Sequence, residues 1–167
     1  MKKTFAKKSF GQNFLVDGNY INKIIAALDL QAGETVIEIG SGRGALTEGF
    51  IESGANVIAI ELERDMNAVL RGRFGDRENF QLIEADALKI DYSTLRTTAV
   101  FSRSAGSLPA SEETAAGKLP ALRLVANLPY YISTAILQKL IEQRDCFSEM
   151  ILMFQLEVVE RITAEIG

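Results

Sequence analysis

The chain is predicted to fold as an α/β domain built on a mostly parallel, doubly wound sheet. Three observations predict it. Short, largely apolar runs recur at 35–39, 56–60, 80–84, 122–126 and 149–154. Segments of helical period separate most of them, and a glycine-rich turn directly follows the first. With 167 residues, 47% hydrophobic and 24% charged, the sequence fits one domain with a real core.

Composition removes several chemistries. The sequence has no histidine, which excludes Ser-His-Asp hydrolysis, HExxH metalloprotease chemistry and imidazole general bases. Cys146 is the single cysteine, so an internal disulfide and a cysteine-rich zinc site are excluded, and no metal is expected. No apolar run approaches membrane-spanning length and no secretory core follows the first residues, so a cytoplasmic protein is expected. A net charge of −4 argues against a uniformly basic nucleic-acid binder, yet Lys2, Lys3, Lys7 and Lys8 form a basic arm without an acid. That arm can touch phosphates or remain a solvated terminus.

In chain order, Ser9-Phe10-Gly11-Gln12-Asn13-Phe14-Leu15 interleaves rings with amides and is expected to pack back across the domain. Asp17 or Asn19 caps a helix with Ile21, Ile24, Ile25 and Leu28 on one face. The strand Thr35–Ile39 runs into Gly40-Ser41-Gly42-Arg43-Gly44, then a helix from Ala45 to about Ser53 closed by Gly54. Such a turn lets backbone approach a ligand and aims N–H groups at it. The spacing departs from the dinucleotide fingerprint, and Glu38 beside it opposes pyrophosphate but accepts from an ammonium group. A zwitterionic amino-acid ligand is therefore favoured. Glu61 ends the second strand and can take ribose hydroxyls; alone it would read as a solvent-facing acid leading into the helix Glu63–Phe74, and the glycine turn upstream favours ribose. Asp86-Ala87, past the third strand, offers a carboxylate to the exocyclic amine of an adenine.

The segment 96–121 lacks period and is expected to be a flexible insertion. After the strand Leu122–Ala126 come Asn127-Leu128-Pro129-Tyr130. An amide oxygen, main-chain carbonyls freed by Pro129 and the Tyr130 ring can grip the exocyclic amine of a flat base, although an ordinary strand-to-helix turn uses the same residues. Ser133 is expected to cap a helix burying Ile136, Leu137, Leu140 and Ile141, followed by a strand Glu149–Phe154 and a last helix from about Leu156.

Taken together, Gly11-Gln12-Asn13-Phe14-Leu15, Glu38-Ile39-Gly40-x-Gly42-x-Gly44-x-Leu46-Thr47, Glu61, Asp86 and Asn127-Leu128-Pro129-Tyr130 resemble the small-subunit ribosomal RNA adenine N6,N6-dimethyltransferases, the kasugamycin-sensitivity methylase family. The resemblance runs from about Thr4 to Gly167 and is interrupted by the insertion. It implies a Rossmann-like methyltransferase fold using S-adenosylmethionine, truncated before its last strands. It also implies a single catalytic domain over 1–167 that lacks the family's helical C-terminal domain. The implied donor contacts are Gln12, Asn13 and Leu15, then Glu38, Gly40, Gly42 and Gly44, with Glu61 at the ribose, Asp86 and Ala87 at the adenine, and Asn127 touching donor and target. Asn127, Leu128, Pro129 and Tyr130 would be catalytic. The implied reaction is dimethylation of N6 on two adjacent adenines near the 3′ end of 16S rRNA, within the small subunit or its precursor, by a monomer. The other readings are an adenine N6-methyltransferase of another rRNA, of erythromycin-resistance type, a non-catalytic ribosome-assembly module, and a nucleotide-dependent oxidoreductase, which Glu38 and the glycine spacing disfavour.

Overall fold

The computed structural model describes residues 17–98, 122–128 and 130–164. All five predicted strands form: β1 (Thr35–Ile39), β2 (Asn56–Glu61), β3 (Phe80–Glu84), β4 (Leu122–Asn127) and β5 (Phe147–Met153). They make one sheet in the order β3-β2-β1-β4-β5, and every neighbouring pair is parallel. The chain builds outward from β1 through β2 to β3 and then returns to the other side of β1 as β4. Strand order therefore reverses between β1 and β4, and the ligand crevice of an open α/β sheet opens beyond their carboxyl ends.

Alternation along each strand feeds two cores. On one face Val36, Val57 and Val125 pack with Leu28, Phe50, Leu70 and Phe74 from α1 (Gly18–Leu28), α2 (Ala45–Glu52) and α3 (Arg64–Phe74). On the other, Ile37, Ile58 and Leu124 pack with Tyr92, Ile136 and Leu140 from α4 (Tyr92–Thr98) and α5 (Tyr130–Glu142). Asp17 is the cap of α1, its carboxylate accepting from Asn19 N at 2.9 Å. Cys146 is buried, as its apolar character predicts. Among the described residues no helix is long and apolar enough to cross a membrane.

Four expectations are corrected. First, residues 96–98 belong to α4, so the irregular segment does not begin at Arg96. Tyr92 anchors this short helix: its ring meets Phe147 edge-on at 5.4 Å and its hydroxyl donates to Ala87 O at 3.1 Å, which a polar seven-residue stretch does not advertise. The remaining insertion residues, 99–121, lie outside the described residues, as do the basic arm and the segment after it. Second, α5 starts at Tyr130, so Ser133 sits inside the helix and is buried rather than capping it. Third, Ile141 is exposed, because one step past Leu140 turns it about 100° off the buried stripe. Fourth, β5 begins at Phe147, where a register shift between Leu122 and Arg123 extends the pairing beyond the apolar run. The last helix, α6, spans Leu156–Thr163.

Candidate functional site

The crevice at the switch point is lined by the turn after β1 and the end of β4. Gly40 has φ 73°, and a Cβ there would stand 3.1 Å from the backbone oxygen of Asn127. The two strand ends thus approach backbone to backbone, which only glycine permits in this left-handed conformation. Gly40 N donates to Ile60 O at 2.9 Å, tying the turn to β2 as well. At Gly44, φ 79°, a Cβ would strike the Phe74 ring, so this glycine lets α2 start against α3. Arg73 braces the same turn from α3, donating to the carbonyl of Arg43 and pairing with Glu48 at 2.9 Å.

Two carboxylates close the β1 and β2 side, and each is handled differently. Glu61, buried, accepts three backbone N–H bonds: Gly42 on Oε2, and Leu62 and Glu63 on Oε1, all at 2.9 Å. A carboxylate has about four acceptor sites, so roughly one remains for a ligand unless Gly42 N–H is exchanged. Glu38 is only 3% exposed and accepts from Thr47 Oγ1 at 2.5 Å. Burial pushes its carboxyl up to about 7; the Thr47 and Ser41 hydroxyls pull the other way, and Glu61 adds a smaller push upward. Ser41 Oγ, itself buried, makes no well-formed hydrogen bond among the described residues, although it lies near enough to favour the charged Glu38. Neither carboxylate has an ion-pair partner among the described residues.

Asp86 stands just past β3, where its Oδ1 accepts from Leu88 N at 3.0 Å and starts a short 3-10 turn, Ala87–Lys89, with Ala87 buried. Glu84, in register with Glu61, is held by Asn67 at 3.3 Å and by Arg71. On the other side, Asn127 is half-buried and Leu128 is buried in the core, its N–H donating to Met153 O at 3.3 Å. Pairing with β5 therefore continues one residue beyond β4.

The structure brings together Glu38, Gly40, Gly42, Gly44, Glu61 and the Asn127 backbone, and sets Asp86 and Ala87 at the same edge of the sheet. Gln12, Asn13, Leu15, Pro129 and the Tyr130 side chain lie outside the described residues. Sequence reasoning gave no role to Thr47, Ser41 or Arg73. Thr47 carries a readable signal: it stands three and four residues ahead of Phe50 and Ile51, a polar residue at the helical spacing of the apolar face of α2, where the structure buries it fully. Among the described residues, no group of three acids or cysteines can hold a metal ion.

The chain is similar to known proteins in sequence and in fold. The model of the family described as ribosomal RNA adenine dimethylase matches residues 3–167. The ribosomal RNA small subunit methyltransferase A of Moorella thermoacetica is 44% identical over 161 residues, covering 96% of this chain and 52% of that protein. Its namesake from Pseudomonas putida is 41% identical over 162 residues, covering 97% of this chain and 53% of the relative. The crystal structure of a dimethyladenosine transferase from Plasmodium falciparum superposes with a TM-score of 0.66 at 29% identity, over 93% of this chain and 48% of that one. The chain spans about half the length of the curated relatives it matches. A family match over nearly every residue, on a sheet whose switch point carries the glycine turn and the Asn127 strand end, settles the kinship: this chain belongs to the ribosomal RNA adenine dimethylase family.

Proposed function

We propose that residues 1–167 act as one catalytic domain that transfers methyl groups from S-adenosylmethionine to N6 of two adjacent adenines near the 3′ end of 16S rRNA. The substrate is the small ribosomal subunit or its precursor, and the chain works as a monomer in the cytoplasm. One observation carries the reading: at the switch point Gly40 meets the Asn127 carbonyl, so a site for the donor and a site for a flat base share one wall.

The residues present suit that donor. Glu38 is a buried carboxyl with no ion-pair partner among the described residues, and it suits the ammonium of the amino-acid end. The glycine turn admits that end close to backbone, Glu61 keeps an acceptor site for a ribose hydroxyl, and Asp86 with Ala87 takes the adenine edge. Gln12, Asn13 and Leu15 complete the cover in this reading. S-adenosylmethionine supplies, when bound, a methyl group on a positively charged sulfur.

The chain's own task is positioning. Adenine N6 is a weak nucleophile because its lone pair is delocalised into the ring. The carbonyls of Asn127 and Leu128 accept its N–H bonds and favour a more tetrahedral nitrogen. Pro129 stiffens the turn and Tyr130 stacks on the base, which has to leave its helical stack to enter. Orientation and exclusion of water then carry the transfer without an imidazole, consistent with a chain that has none.

Calorimetric titration with S-adenosylmethionine, with NADH as competitor, tests the donor site; saturable binding lost in Glu61→Ala is expected. Methylation of immature small subunits, lost in Asn127→Ala, tests the acceptor. Equal activity on large subunits would instead favour the erythromycin-resistance type.

A further inference from the structure

The hydroxyl of Thr47 has a task beyond filling the core. Thr47 is fully buried on α2, and a valine of the same shape would satisfy the neighbouring apolar side chains. A buried hydroxyl is retained without loss only where it is bonded, and this one donates to Glu38 Oε2 at 2.5 Å. The surroundings of Glu38 otherwise hold little to fix its charge. Its register neighbours are Ala59 on β2 and Val125 on β4. From α2, Glu48 points away to pair with Arg73, and α1 contributes apolar Ile25 to this core. Among the described residues the Ser41 hydroxyl also favours the charged form, while Glu61 is the charged group that acts on it, and it repels.

We propose that Thr47 is a positioning residue: its hydroxyl holds the Glu38 carboxyl at the glycine turn as a proton-linked acceptor for a primary ammonium group. This rests on the donor reading above and deepens it, because the ammonium is that of the donor's amino-acid end. On docking, the O–H bond of protonated Glu38 breaks, the proton passes to solvent, and the carboxylate accepts from the ammonium N–H. Thr47 stabilises that charged form in both states, so it sets the pH at which capture becomes favourable. Burial raises the free carboxyl to about 7, so in the ligand-free chain it is mostly protonated at pH 6.

The test is calorimetry with S-adenosylhomocysteine, which keeps the ammonium and carboxylate but has no methyl to transfer. Titrations run between pH 5.5 and 7 in buffers of different ionisation enthalpy, on the intact chain and on Thr47→Val, Thr47→Ser and Glu38→Gln. Affinity of the unaltered chain should rise about tenfold across that range, with proton release at the acid end. Thr47→Val should shift the bend of this profile to higher pH, Thr47→Ser should restore it, and Glu38→Gln should abolish both the slope and the release. Binding without proton release, or a Thr47→Val loss equal at every pH, overturns the proposal while leaving the donor site intact. Absence of any binding overturns the donor reading itself, and the ammonium receptor with it. Thermal unfolding without ligand supplies a separate readout: a midpoint that falls as pH rises from 4.5 to 7, flattened in Glu38→Gln, supports the titration, and a flat profile in the unaltered chain refutes it.

Discussion

The two ends of the sheet treat their acids in opposite ways. At the amino end, Arg123 on β4 reaches Glu34 just ahead of β1 and Glu149 on β5, each at 2.9 Å, so two acids share one cation. At the carboxyl end, Glu38 and Glu61 are deeper in the protein, and among the described residues the groups that bond them are hydroxyl and N–H dipoles. Buried charge without a counter-ion costs stability, whereas a half-exposed ion cluster costs little and adds little. One end links three strands through a shared cation, and the other buries two carboxyls that dipoles alone hold among the described residues, which in the proposed reading suits a cationic ligand.

The contrast breaks first at Glu61. Replacing it with alanine leaves the N–H groups of Gly42, Leu62 and Glu63 without their acceptor. Two or three orphaned donors predict a loss on the order of 3 kcal/mol, read as a lowered urea midpoint, together with loss of detectable donor binding. An unchanged midpoint would mean that the carboxylate does not organise the turn. Next is Gly40→Ala. A Cβ at φ 73° and 3.1 Å from the Asn127 oxygen costs about 2 kcal/mol and pushes β1 and β4 apart at the crevice. Donor binding should weaken more than stability alone accounts for, and a crystal structure of the variant should show the Asn127 carbonyl displaced.

Much of this architecture is legible in the residues themselves. β1, β2 and β4 are central strands buried on both faces, so largely apolar runs mark them, and the switch point follows once the alternation of strands and helices is seen. The positions of Glu38, Glu61 and Asp86 are equally plain, because each lies at or just beyond a strand end. What those carboxylates do is less legible. Glu61 reads as an open acceptor, yet backbone from Gly42 to Glu63 folds onto it, and only a turn's three-dimensional path brings those N–H groups together. The Glu38–Thr47 bond spans nine residues between a strand and a helix, a contact that no local period encodes. α4 escapes notice for the same reason: its stability comes from the Tyr92 ring on Phe147, far along the chain.

Glu38→Gln sharpens the comparison through pH. The folded carboxyl titrates at about 7 against an ordinary value of 4.5, so the unfolded chain gives up its proton first as pH rises. The stability that protonated Glu38 allows is complete below about 4.5 and is lost progressively up to 7, above which the penalty is constant. Glutamine carries no charge to bury, so the variant should equal or exceed the unaltered chain by about 1–2 kcal/mol at pH 8, and the difference should shrink toward pH 4. Thermal unfolding at the two pH values measures it. A destabilised variant at pH 8 would show that the charged form is better solvated than its surroundings suggest.

Arg123→Met is expected to have the smallest effect, and it probes the other end of the sheet. The Arg123 side chain is 22% exposed while Glu34 and Glu149 are 41% and 38% exposed, so water and salt already screen the cluster. Methionine keeps most of the apolar stem against the sheet and leaves the two acids able to turn to solvent. A loss of about 1 kcal/mol at low salt is expected, shrinking near 1 M NaCl as the Debye length falls to roughly 3 Å. Donor binding should stay within about twofold, because the cluster sits at the opposite end of the strands from the crevice. A loss of several kcal/mol that salt does not reduce would place Arg123 among the buried, obligatory pairs. The two ends of the sheet would then differ in where their counter-ion comes from and no longer in how strongly they depend on one.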